Sequence, residues 1–278
     1  MGAAAATASV VPMTEQHRST TPEGTRAGEH AGKVAVVTGA STGIGEATVR
    51  ELRRAGWTVY AVARRAERLE ELARQTGAIA APCDITSDAD VDALRGQVLE
   101  EQGRVDALLN ISGGARGTDW VADARTEDWE WMYQVNVIGT MRLTRAFLPA
   151  LRENGEGTVL NLTSLAAHRT YEGGGGYNAA KFAERAMTEA LRLEEAEHNV
   201  RVVEIAPGLV QTPEFSLNRL GGDEQAAEKV YAGVEKPLTS EDVARVCAFA
   251  VNLPHHVDLD TVTIKPVAQA APHKLLRR

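Results

Sequence analysis

Short apolar runs alternate with amphipathic stretches along most of the chain. The runs KVAVVTG (33–39), WTVYAVA (57–63), AIAAPC (78–83), VDALLNI (105–111), GTVLNLTS (157–164), VRVVEIAP (200–207) and TVTIKP (261–266) have the length of strands. Most are apolar throughout rather than at every second position, as strands are when both faces of a parallel sheet are covered. Between them, stretches near 43–55, 65–76, 87–102, 126–152, 176–198 and 239–252 repeat apolar residues at helical spacing. Strict alternation of strand and helix predicts an α/β fold: a doubly wound, seven-stranded parallel sheet with helices on both faces, in a single domain.

The start of the chain breaks this pattern. Residues 1–31 are rich in Ala, Ser, Thr, Gly and Pro and have no apolar periodicity, so they are expected to be a disordered tail or a start-site artefact. Val10-Val11 is too short for a secretory signal, and Ala6 stands where myristoylation needs Ser or Thr. The domain is expected to span 32–270, leaving 271–278 as a C-terminal tail. The formal charge of −8 speaks against a nucleic-acid or anionic-membrane partner. No apolar run approaches the ~18 residues of a membrane span. Two cysteines, Cys83 and Cys247, cannot form a disulfide framework and read as buried small hydrophobes of a cytoplasmic protein. His255 and His256 lie in a turn without a third ligand, so no metal site is expected.

Chemistry enters at the first strand–helix joint. Thr38-Gly39-Ala40-Ser41-Thr42-Gly43-Ile44-Gly45 follows an apolar strand and opens a helix. Gly39 permits a tight turn, Gly43 lets backbone approach a pyrophosphate, and Gly45 allows close helix–strand packing. The free N–H groups of the helix start then face the phosphates. This context predicts nucleotide binding.

The spacing TGxxxGxG resembles the classical short-chain dehydrogenase/reductases, and the resemblance covers residues 33–270. Further matching pieces are Asp84, the NISGG at 110–114, Asn136, Ser164, the YNAAK of Tyr177 and Lys181, and Pro207-Gly208. Ser164 precedes Tyr177 by 13 residues, the family's usual interval. The resemblance implies a Rossmann-type fold, hydride transfer, and Asn136, Ser164, Tyr177 and Lys181 as the catalytic set. It also implies a homotetramer or homodimer, built on the helices at 126–152 and 176–198. One departure is plain: the family's second Asn is Ile111 here. That puts the hydrogen bonds bracing the central strands in doubt, some of which Ser112 could supply.

Tyr177 and Lys181 stand four apart on a predicted helix, on one face and about 6 Å apart along its axis. A phenol titrating near 10 is a poor acid or base at neutral pH, and a nearby ammonium favours its phenolate. Ser164 can hydrogen-bond the substrate oxygen. By resemblance, Asn136 supports a water linking Lys181 to solvent, and Lys181 grips the nicotinamide ribose.

Cofactor choice turns on the end of the second strand, where Arg64-Arg65 replaces the acidic residue of NAD enzymes. Two forked guanidiniums suit a 2′-phosphate, so NADP(H) is expected. Asp84 is expected to accept from the adenine amine, with Ile85 packed on the ring. Ser41, Thr42, Ile44, Asn110, Ser112, Gly113, Pro207, Gly208, Val210 and Thr212 complete the expected cofactor contacts.

The segment 208–235 looks like a mobile lid, and Gly173-Gly174-Gly175-Gly176 like a mobile lead-in to Tyr177. The form of the lid, with PEFS at 213–216, resembles the NADP-dependent 3-hydroxy-acid (serine, malonic semialdehyde) dehydrogenase branch. Substrate contacts are expected from Ser164, Ala166, His168, Tyr177, Gly208 and Phe215. The expected reaction is hydride transfer between NADP(H) and a small 3-hydroxy acid or its semialdehyde or keto form. Two rivals are a biosynthetic ketoreductase for polyketide, acyl or antibiotic intermediates, and a catalytically silent NADP-binding regulator. Trp120, Trp129 and Trp131 read as packing or interface residues. Glu184, Glu189, Glu194, Glu195 and Glu197 read as a solvated helix face or charged rim.

Overall fold

The computed structural model describes residues 30–278, so the tail expected over 1–31 lies outside the described residues except for its last two. The first half comprises β1 (Val34–Thr38), α1 (Gly43–Arg54), β2 (Thr58–Ala63), α2 (Ala66–Thr76), β3 (Ile79–Pro82), α3 (Asp88–Gln102) and β4 (Ala107–Asn110). The second half continues with α4 (Thr126–Tyr133), α5 (Gly139–Asn154), β5 (Thr158–Leu162), α6 (Gly175–Glu195) and β6 (Arg201–Pro207). It ends with β7 (Val210–Gln211), α7 (Phe215–Arg219), α8 (Glu224–Tyr231), β8 (Leu238–Thr239), α9 (Ser240–Asn252), β9 (Thr261–Ile264), β10 (Gln269–Ala271) and β11 (Lys274–Leu275).

The seven expected strands form one parallel sheet in the order β3-β2-β1-β4-β5-β6-β9. The strand order turns back between β1 and β4, which opens a crevice beyond the carboxyl ends of the strands. Alternate residues of β1 enter opposite layers. Ala35 and Val37 join Val49 and Leu52 of α1 and Val243 and Cys247 of α9. Val34 and Val36 face Val91 and Leu94 of α3 and Leu143 and Phe147 of α5. Covering both faces is what makes the strands apolar throughout. Cys83 and Cys247 sit buried and unpaired in opposite layers.

The stretch expected as one helix over 126–152 is divided by a π-turn at Gln134–Ile138, which carries Asn136. The bracing left in doubt by Ile111 is supplied by Thr38, Asn110 and Asn161, with Ser112 contributing its backbone N–H. Thr38 Oγ1 accepts from the N–H groups of Ile111 and Ser112, each at 2.9 Å. Asn110 Nδ2 donates to Asn161 Oδ1 at 2.9 Å, and Asn161 Nδ2 to Thr188 Oγ1 at 2.9 Å. These bonds tie β1, β4, β5 and α6 together just below the crevice.

The segment 271–278 is not a free tail. β10 and β11 pair as a hairpin, and Arg277 donates to the carbonyls of Lys229, Val230 and Ala232 at the end of α8. A cation on terminal helix carbonyls is a favourable cap. Pairing strands of two and three residues leave too little pattern to be read from sequence.

Candidate active site

The loops after β1 to β6 line a single cleft of about 1520 Å³ at the carboxyl edge of the sheet. At its floor, α1 begins against β1 so closely that a Cβ on Gly45 would stand 2.3 Å from the carbonyl oxygen of Gly39. Gly39 and Gly43 have φ of +68° and +58°, a region that favours glycine. The first-turn N–H groups of a twelve-residue helix therefore face the cleft.

Of the expected cofactor contacts, all but Asn110 line this cleft. Asn110 lies behind it, in the bracing network. Arg64 makes no hydrogen bond or ion pair among the described residues, whereas Arg65 binds Ser41 Oγ and the carboxylate of Glu214. Asp84 accepts from the Thr86 N–H at 2.9 Å and its hydroxyl at 2.7 Å, while Ser87 caps α3. Burial opposes the Asp84 carboxylate, but the Thr86 hydrogen bonds and Arg64 outweigh it and hold the carboxyl below its ordinary value.

Ser164, Tyr177 and Lys181 converge on the same cleft. Ser164 caps a short 3₁₀ turn, its hydroxyl accepting from the Ala166 N–H at 3.1 Å. Tyr177 lies on α6 with its ring 5.7 Å from that of Phe215 at the start of α7. Burial pushes the Tyr177 phenol upward; Lys181 and Ser164 pull the other way but do not prevail. Lys181 thus acts on the phenol in the expected direction, but burial outweighs it. The Lys181 ammonium loses by burial, yet Glu184 and Tyr177 reverse the effect and raise it.

Asn136 is buried outside the cleft. Its amide bonds both the N–H and the carbonyl of Gly114 and the carbonyl of Met132. It thereby fixes the loop after β4.

His168 does not line the cleft. Its Nε2 lies 3.0 Å from Glu204 Oε1 on β6, so it turns into the protein and is removed from the expected substrate contacts. Ala166, Gly208 and Phe215 do line the cleft. The four glycines before Tyr177 are not slack: a Cβ on Gly173 would meet the Thr118 carbonyl at 2.7 Å and one on Gly176 the Met132 methyl at 2.5 Å. Small residues are needed there for close packing.

Several cleft residues carried no expectation, or a different one. Glu214 clamps Arg65. Arg219 donates to Tyr171 Oη at 2.8 Å and to the carbonyls of Gly117 and Gly173 at 3.1 and 3.2 Å, and lies 5.7 Å from the Tyr177 ring centroid; its partners are all neutral, with no carboxylate among the described residues. Trp131 lines the cleft beneath the Arg116 guanidinium, 4.1 Å from its ring centroid, whereas Trp129 packs on Gly175 and Gly176. Glu184 and Glu195 are not solvated. Glu184 pairs with Lys181, and Glu195 with Arg152 at 2.7 Å. Their positions carried a usable signal: Tyr177, Lys181, Glu184, Thr188, Leu191 and Glu195 fall on one buried face at helical spacing.

A parallel sheet with a glycine-lined helix start at its switch point, and a Tyr–Lys pair in the same cleft, defines a dinucleotide-dependent oxidoreductase site. The short chain dehydrogenase family profile matches residues 33–219. The chain belongs to that family and is an oxidoreductase acting on alcohol or carbonyl groups. It is 51% identical over 239 residues to an uncharacterized oxidoreductase of Mycobacterium tuberculosis, covering 86% of this chain and 93% of that one. It is 35% identical to the serine 3-dehydrogenase of Agrobacterium fabrum, over 84% of this chain and 94% of the relative. The solved closed form of a serine dehydrogenase complexed with NADP+ superposes with a TM-score of 0.82 at 36% identity, covering 88% of this chain and 99% of that one. Among the described residues, no helix is long and apolar enough to cross a membrane.

Proposed function

We propose that the chain interconverts a small 3-hydroxy acid and its semialdehyde or keto form, using NADP(H). The observation that carries this reading is the meeting of Ser164, Tyr177 and Lys181 in one cleft, with Arg219 beside the Tyr177 ring. A guanidinium without a carboxylate partner, next to the proton donor, suits the carboxylate of a small acid. Serine and NADP+ in the names of the relatives support the same assignment.

The residues present fit the cofactor. The glycine loop turns the start of α1 towards the cleft, with Gly45 letting that helix pack directly on the end of β1, and Arg64, which lines the cleft, has donors to spare. Gly39 to Gly45 would hold the pyrophosphate, Arg64 and Arg65 the 2′-phosphate, Asp84 and Ile85 the adenine, and Lys181 the nicotinamide ribose. When bound, NADPH supplies the hydride.

The chain supplies the rest. Ser164 Oγ orients the substrate oxygen. Tyr177 Oη gives it a proton in reduction and takes one back in oxidation. Lys181 beside the phenol favours the charge that Tyr177 carries after giving up its proton. Asn136 keeps the loop after β4 in place. Phe215 in the lid packs on Tyr177 and helps exclude water.

We further propose a cytoplasmic homotetramer or homodimer, with Phe182 on α6, 40% exposed, at the interface. A monomer in light scattering would remove that part. Serine, small 3-hydroxy acids and large cyclic ketones, each assayed with both nicotinamide cofactors, test the substrate. Turnover of the small acids with NADP+ is expected; turnover confined to cyclic ketones would favour a biosynthetic ketoreductase.

A further inference from the structure

Lys181 is held at its ammonium by two groups other than Tyr177. Its Nζ donates to Glu184 Oε2 at 2.6 Å and to the carbonyl of Leu162 at 3.0 Å. Lys181 is 3% exposed and Glu184 fully buried. The other carboxylate oxygen, Glu184 Oε1, has no hydrogen-bond partner among the described residues. Such a pair is a poor source of stability, because burying two charges carries a desolvation penalty that their attraction barely repays. An unsatisfied acceptor adds to that cost. An aliphatic side chain one turn after Lys181 would fill the space with neither penalty.

The pair is also aligned with the reaction. Tyr177, Lys181 and Glu184 fall at successive turns on one face of α6, and Lys181 Nζ lies 6.0 Å from the Tyr177 ring centroid. We propose that Glu184 is a positioning residue for the proton-transfer pair: it anchors the Lys181 ammonium and offsets its charge, so that Glu184 sets how strongly Lys181 acts on the Tyr177 hydroxyl. The inference rests on the reading above in giving Tyr177 the proton transfer.

When Glu184 is ionised, the Lys181–Glu184 pair is neutral as a unit and does little to favour a phenolate. When Glu184 is protonated, the ammonium is uncompensated and the phenolate is favoured. Burial lifts the Glu184 carboxyl to about 7, against the pull of Lys181 and with a further push from Glu204, so both states are populated near neutrality. Glu204 faces the group from β6 and is itself held by His168, Thr163 and Thr261. Thr140 of α5 faces Glu184 as well, and Ser164, Tyr171 and Arg219 face Tyr177. The protons of such a set come off as coupled steps.

Glu184→Gln keeps the side-chain size and an oxygen for Lys181 Nζ while removing the charge; Glu184→Asp keeps the charge. Ionisation of Tyr177 is read from phenolate ultraviolet absorbance, as the difference from a Tyr177→Phe partner made in each background. In Glu184→Gln the Tyr177 ionisation is expected to move down by about one pH unit, the lower end of the effect of a nearby charge. In Glu184→Asp it stays near the parent value. The pH profile of kcat/KM for alcohol oxidation moves with it, while the NADPH Kd is unchanged. Coincident Tyr177 titrations in Glu184→Gln and the parent overturn the proposal, as does an equal shift in Glu184→Asp, which would mark a packing effect. If Glu184→Gln does not fold, carbon NMR of the parent decides: a Tyr177 titration indifferent to that of the Glu184 carboxyl overturns it. A parent without dehydrogenase activity would sink the proposed function, yet the phenolate titrations would still be readable, so the two failures separate.

Discussion

Arg65 and Glu214 are joined by two hydrogen bonds of 2.8 Å, Nη1 to Oε1 and Nη2 to Oε2, linking the end of β2 to the start of α7. Hydrogen bonding to Glu214 raises the Arg65 guanidinium, and hydrogen bonding to Arg65 holds the Glu214 carboxyl below its ordinary value. The same guanidinium is the one proposed to bind a 2′-phosphate, so Glu214 competes for it. Glu214→Gln is expected to tighten NADPH binding by about threefold while leaving NADH unchanged, because a half-exposed pair contributes at most about 1 kcal/mol. Fluorescence titration with both cofactors checks this; equal effects on both would separate Glu214 from phosphate recognition.

The two thiols should be inert in the native protein. Burial pushes Cys83 and Cys247 each up to about 12, and thiolate is the reactive form. A chromogenic disulfide reagent is expected to titrate neither thiol at neutral pH and both after denaturation. Rapid native labelling of either one would contradict the packing around it.

Stability should fall as pH rises from the ordinary carboxylate value of 4.5 to about 7. The folded Glu184 carboxyl titrates at about 7, above its ordinary 4.5, so the folded state holds a proton that the unfolded chain has released. The stabilisation is complete below the unfolded value and is lost as pH climbs towards the folded one. Over that window the loss is about 3 kcal/mol, and Glu184→Gln should remove it. Urea melts of both proteins across the window measure the difference; parallel pH dependences would rule out this source.

Removing residues 276–278 should loosen the lid and spare the cofactor site. Arg277 caps α8 from the rim of the cleft, and the Arg278 N–H donates to the carbonyl of Gly233 at 2.8 Å. The truncated protein is expected to show faster amide exchange over α8 and a KM raised by about tenfold, the equivalent of one lost charge-assisted interaction. Its NADPH Kd should be unchanged. Unaltered exchange over α8 would mean that the hairpin alone holds the lid.

Much of this architecture was legible in the chain, because a two-sided parallel sheet forces continuous apolar strands and the glycine loop has few alternative uses. The seven strands and the loop from Gly39 to Gly45 followed from order and spacing, whereas the grouping of Ser164 with Tyr177 and Lys181 came from the family resemblance. What escaped depended on direction and distance. His168 sits three residues from the cleft-lining Leu165 yet turns towards Glu204, and no local pattern distinguishes the two orientations. Charge alone groups Glu184 with Glu189, Glu194, Glu195 and Glu197, although its spacing from Tyr177 and Lys181 places it on the inner face. Glu214 meets Arg65 across 149 residues of sequence, and the three-residue strand β10 is too short to show a period.

The central claim is that Tyr177 donates the proton in an NADP(H)-linked carbonyl reduction. Single-turnover oxidation of NADPH by a small 3-oxo acid, compared between the parent protein and Tyr177→Phe, tests it most directly. Loss of a positioned proton donor should slow the chemical step by about 10²- to 10⁴-fold, with NADPH binding within about twofold of the parent. A Tyr177→Phe protein that turns over at the parent rate would contradict the account.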